Sequence, residues 1–139
     1  MTPSKLSLVR KDRKVILSII WVFVLMNMIY ADIFNTMKPS YLAELEYVSS
    51  AFPEGLILLF AIFMEIPIIM IPLAGLLDRK HNRLAHYIAV PLSILWVVVP
   101  SILSSGTPMS YLFFATIEVI AMLLSLYVAW SWPAEKISQ

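Results

Sequence analysis

Residues 55–83, GLILLFAIFMEIPIIMIPLAGLLDRKHNR, decide the fold. The first 23 of them, residues 55–77, hold a single charge, Glu65, and the next six are almost all charged or amide-bearing. A helix needs about 20 apolar residues to cross a hydrocarbon layer of about 30 Å, so this run reads as a spanning helix that ends in a basic turn. Three further runs of the same kind flank it, at 15–34, 84–103 and 111–132. A membrane-spanning sheet would instead show segments of about ten residues with alternating polarity, and four of those would be too few to close a barrel. The predicted fold is therefore all-α, a bundle of four transmembrane helices. Pro67, Pro72, Pro91 and Pro100 fall inside the second and third spans, where membrane helices tolerate proline, and predict kinks there.

The composition agrees. Of 139 residues, 60% are hydrophobic and 14% charged, and the mean hydropathy is +0.86. Four crossings leave no room for a separate soluble domain, so residues 1–139 are expected to form one integral membrane domain. The chain has no cysteine, which excludes disulfides, thiol redox chemistry and thiolate metal sites.

Orientation follows from the basic residues. Lys5, Arg10, Lys11, Arg13 and Lys14 precede the first span, Arg79, Lys80 and Arg83 lie between the second and third, and Lys136 follows the fourth; Lys38 alone falls on the other side. Both termini are thus expected in the cytoplasm, with Trp130 and Trp132 at the inner interface and Tyr111 and Phe52 near the outer one. The basic run 10–14 would also meet anionic membrane lipid. The first span has too long an apolar core and no small-residue cleavage site for a signal peptide, and is expected to stay as an anchor. His81, Asn82 and their neighbours read as a tight inner turn, and residues 104–110 (SSGTPMS) as a short outer one. The 20-residue outer connection, 35–54, repeats Tyr41, Leu42, Leu45, Val48 and Phe52 at helical spacing, which predicts a short surface helix over 40–49.

The candidate site residues are the polar ones within the hydrocarbon. Asp32, Glu65 and Glu118 occupy spans one, two and four, and no span holds a lysine or arginine to pair with them. Carboxyls at such depth are costly and face a bundle interior or a watered cavity. At 1.5 Å per residue, Asp32 lies roughly 3 Å, Glu118 roughly 10 Å and Glu65 roughly 15 Å inside the outer end of its span. Asn27 is level with Glu118 and able to donate to it. Small residues Ala121, Ser125 and Ala129 follow Glu118 on one helix face, which directs it toward packing. The row through Glu65, with Leu58, Ala61 and Pro72, is less decisive. The four residues are expected to form one outward polar pocket, in which low dielectric and mutual repulsion favour a shared proton or a bound cation over an anion. His81 and His86, five apart, do not align as helical metal ligands and read as structural or interfacial; Trp96 and Ser93 read first as packing residues, with the lining of a ligand pocket as the alternative.

The stretches 27–34 (NMIYADIF), 64–67 (MEIP), 81–83 (HNR) and 113–118 (FFATIE) resemble an uncharacterised bacterial family of small four-helix membrane proteins. That resemblance covers roughly residues 17–132. It implies an integral protein of the bacterial inner membrane and no particular activity. More distantly, Glu65 followed by an apolar run and the basic turn ending at Arg83 is similar to DoxX-like membrane proteins, although the second span has only Gly75 where those are glycine-rich.

The functional expectation is a small membrane protein that binds or transports a small cationic or lipophilic molecule. The alternative is a non-catalytic membrane subunit or assembly factor, alone as a homodimer or with a partner subunit through Ala85 and Ala89. The chain offers no nucleophile, metal set, cofactor signature or nucleic-acid module, which argues against an enzyme and leaves only acid–base chemistry on a lipophilic substrate. No cofactor is expected.

Overall fold

The structure, a computed structural model, describes residues 3–103 and 108–133. The chain is helical: α1 (Pro3–Thr36), α2 (Pro39–Ala51), α3 (Glu54–Leu76), α4 (Arg79–Leu103) and α5 (Met109–Trp130). Four of these helices are long and apolar enough to cross a membrane: α1 through Asp12–Thr36, α3 throughout, α4 through Arg79–Val99, and α5 throughout. This is the architecture of an integral membrane protein. Of the turn expected at 104–110, residues 104–107 lie outside the described part and 109–110 already belong to α5; Lys136 and the side chains of Lys5, Arg10, Lys11, Val48 and Pro100 also lie outside it.

The four long helices form a closed ring, in which α1 packs on α3 and α5, and α4 packs on the same two. Consecutive long helices run in opposite directions, so the N-terminal part of α1 and the end of α5 meet at one end of the bundle, here the termini end, and α2 lies at the other. Where apolar lipid surrounds the protein, helices associate by close packing and hydrogen bonding, since burying apolar surface gains nothing over lipid. The core accordingly alternates large and small groups. Leu17, Trp21 and Val24 of α1 meet Met70 and Ala74 of α3, Val90 and Val97 of α4, and Ala121, Met122 and Ala129 of α5. α1 and α3 also meet at Gly75, where a Cβ would stand at ordinary contact distance, 3.4 Å, from Ser18 Oγ of α1, and that hydroxyl donates to Ile71 O of α3 at 2.9 Å.

Three features correct the sequence expectation. The basic run expected as a turn is the first turn of α4, because Asp78 acts as its N-cap: Asp78 Oδ1 accepts from the His81 backbone N–H at 3.2 Å, supplying one of the four donors a helix start leaves open. Ala85 and Ala89, expected to serve a partner, pack into this bundle's own core, with Ala89 only 5% exposed. Trp132 is buried instead of facing the interface, whereas Trp130 is exposed.

The basic residues at the termini end also have a packing role beyond orientation. Arg13 Nη1 donates to Val128 O at 3.2 Å and Ser131 Oγ at 2.8 Å, Lys14 Nζ to Leu76 O at 3.1 Å, and Arg79 Nε to Trp132 O at 2.8 Å. Carbonyls at a helix C-terminus are unpaired and lie at the negative end of the macrodipole, so cations from α1 and α4 close the ends of α3 and α5.

Candidate functional site

Depth and helix phase assemble the site in the half of the bundle nearest α2. Glu118 is brought inward on the buried row of α5, with Ala121, Met122, Ser125 and Ala129, and is 4% exposed. Asn27 of α1 sits opposite. Its Nδ2 donates to Glu118 Oε1 at 2.9 Å and to Phe114 O at 3.2 Å. Both amide hydrogens are therefore used, and the Glu118 carboxyl is fixed by a neutral donor instead of a counter-ion.

A cleft of about 120 Å³ opens beside this pair. Met28, Ala31 and Asp32 of α1, Met64 of α3, Trp96 and Val97 of α4, and Tyr111 and Glu118 of α5 line it, so all four long helices contribute. Asp32 is exposed at its side and Glu118 is buried. No lysine or arginine is among the lining residues. Lys38, the basic residue at this end, is engaged elsewhere: its Nζ donates to Ser110 Oγ at 3.2 Å, and that hydroxyl donates to the buried Asn35 Oδ1 at 3.4 Å. Tyr41 of α2 stands near the cleft. Its phenol is held above the ordinary tyrosine value by burial first, then by the carboxylates of Asp32 and Glu44.

The rigid wall is aromatic. Trp96 stacks on Phe63 with centroids 5.3 Å apart and planes 2° apart, and takes the edge of Phe60 at 5.0 Å. Tyr111 is held by its hydroxyl, which donates to Val97 O at 2.8 Å. Tyr111, expected near a membrane interface, lines the cleft, and Trp96 does both things the sequence allowed, packing on Phe60 and Phe63 and lining the cleft. The signal available for Tyr111 was its place two turns before Glu118 on α5, which puts a phenol and a carboxyl on the same face.

Glu65 does not join them. The structure brings together Asn27, Asp32 and Glu118, while Glu65 is exposed on α3 and absent from the cleft lining. Its neighbour Met64 takes that position. The reason is helical phase: α3 is apolar on every side, so nothing in its sequence marks which face turns inward.

A second buried polar group lies nearer the termini end. Trp21 Nε1 donates to His86 Nε2 at 3.0 Å across the diagonal of the ring. His86 Nδ1 therefore carries the ring proton and donates to Asn82 O at 2.8 Å, and Asn82 Nδ2 donates to Ala74 O at 2.7 Å. Both histidine nitrogens are occupied, which makes this a bracing network joining α1, α3 and α4. His81 pairs with Asp78 on the exposed surface. Among the described residues, no three of His, Cys, Asp and Glu come together as a metal site would require.

The chain belongs to a family of unknown function, DUF6326, whose model matches residues 5–139. No curated protein and no solved structure matches it.

Proposed function

We propose that this member of DUF6326 binds a small cation in the cleft between its four long helices, as a carrier or receptor in the bacterial inner membrane. The observation that carries the reading is the pairing of Asp32 and Glu118 on one cleft whose lining contains no lysine or arginine. Volume narrows the ligand. Pockets for drug-sized molecules run to about 300–1,000 Å³, so 120 Å³ suits an inorganic cation with a few waters or a small amine. Tyr111 offers an aromatic ring to an alkylated ammonium, while Met28 and Met64 accommodate its carbon groups. The bias of nine basic residues in ten toward the termini end supports cytoplasmic termini, and with them a cleft open to the opposite side.

Native mass spectrometry of the protein released from mild detergent tests this. The wild type is expected to carry a small cationic adduct that Asp32→Asn and Glu118→Gln both lose. An empty wild-type protein, or an adduct indifferent to both substitutions, refutes the proposal.

A further inference from the structure

Glu65 presents a carboxyl near the middle of a spanning helix, on the outside of the bundle. Among the described residues it has neither a hydrogen bond nor an ion pair, and its side chain is exposed. Such a group facing lipid costs several kcal/mol at the bilayer centre. The face around it is continuous: Leu58, Ala61 and Ile62 above, and Ile69, Pro72 and Leu76 below, all exposed. α3 is also the least covered of the four spans, with 11% of its apolar stretch enclosed against 33% for α4 and for α5.

We infer that this face of α3 is the contact between two copies of the chain, related by a two-fold axis along the membrane normal that passes beside Glu65. Hydrogen-bonding complementarity selects the occupant. A carboxyl in its acid form has one donor and free acceptor positions, so it is its own complement, which a lysine or an arginine is not. Symmetry then supplies the alignment. An axis along the membrane normal sets every residue opposite its own copy at the same depth, so the two Glu65 groups meet without further design. A different partner would have to bring a donor to that one depth. Within this chain the basic residues of the spans, Arg13, Lys14, Arg79, Lys80 and Arg83, all sit at the termini end, away from the mid-helix depth of Glu65. Ala61, one turn from Glu65, is small enough to let the two backbones approach. The inference is independent of the ligand proposed for the cleft, which is lined by other residues of α3 and the neighbouring helices.

The absence of cysteine makes the test direct. Ala61→Cys and, as control, Leu123→Cys on the exposed face of α5 are each reconstituted into lipid bilayers at high dilution and treated with a short bifunctional maleimide. Ala61→Cys is expected to give a product at twice the chain mass of 15.8 kDa, and Leu123→Cys to remain at the chain mass. Adding Glu65→Gln, whose amide is also self-complementary, should leave the cross-linked yield within twofold. Adding Glu65→Leu should lower it at least fivefold. Failure of Ala61→Cys to cross-link, equal cross-linking of the α5 control, or indifference to Glu65→Leu would each overturn the inference. So would capture of Ala61→Cys by a different protein in the native membrane with no self-product.

Discussion

Replacing Asn27 by leucine removes a donor that the structure uses twice, once on Glu118 Oε1 and once on Phe114 O. Hydrogen bonds between membrane helices average about 0.6 kcal/mol in double-mutant cycles and reach about 1.7. Glu118 is 4% exposed, so losing Asn27 also strands a buried acceptor, a loss of about 1–3 kcal/mol. The single substitution should therefore destabilise the bundle by about 1–3 kcal/mol. The informative experiment is the cycle of Asn27→Leu, Glu118→Leu and the double variant, unfolded reversibly in mixed detergent and SDS micelles and followed by tryptophan emission. With both partners apolar, nothing is left stranded, and the double variant should cost less than the sum of the singles by about 0.6–1.7 kcal/mol. Additivity within about 0.3 kcal/mol would refute the claim that the pair is coupled.

Other expected outcomes follow from the same hydrogen-bond accounting. His86→Leu strands the indole N–H of Trp21, which is fully buried, and should cost about 1–3 kcal/mol in the same unfolding assay, with Trp21→Phe relieving part of that loss. Ser93 is 2% exposed and its hydroxyl has no partner among the described residues, whereas Ser125 Oγ donates to Met122 O; Ser93→Ala should be neutral or stabilising and Ser125→Ala destabilising by about 0.5–1.5 kcal/mol. Gly75→Ala meets Ser18 Oγ at ordinary contact distance and should stabilise α3 by about 0.5–1 kcal/mol through helix propensity, a rise in the SDS fraction at the midpoint. Arg13→Gln keeps the length of a polar side chain but removes the charge at the end of α5, and its loss of about 0.3–1 kcal/mol should shrink as salt is added.

How much could be read from the chain depends on which physical signal each feature uses. The spans were legible because length and apolarity alone specify them: residues 55–77 were expected and Glu54–Leu76 is observed, residues 111–132 expected and Met109–Trp130 observed. The surface helix after Pro39 was legible from its spacing, though it continues to Ala51. The direction of Glu118 could be read because Ala121, Ser125 and Ala129 mark one side of α5 as the close-packing one. The direction of Glu65 could not, since α3 is apolar all round. The start of α4 was misread by weighing the charge of RKHNR as turn character, when Asp78 three residues before His81 already carried an N-cap signal. The Trp21–His86 bond joins residues 65 apart on diagonal helices; it depends on the rotation of both helices within a closed ring, and no local pattern encodes that.

The clasp of Arg13 on the end of α5 has a temporal side. Its acceptor at Val128 is 115 residues further along the chain. At a synthesis rate of about 5–20 residues per second, Arg13 waits roughly 6–23 seconds before its acceptor exists. During that interval Asn27 also lacks Glu118 and Phe114, and the ring is an open row of helices with its first and last edges unjoined. Closure is therefore a post-insertion event made by the last helix, which slots between α1 and α4 and completes the wall of the cleft in the same step.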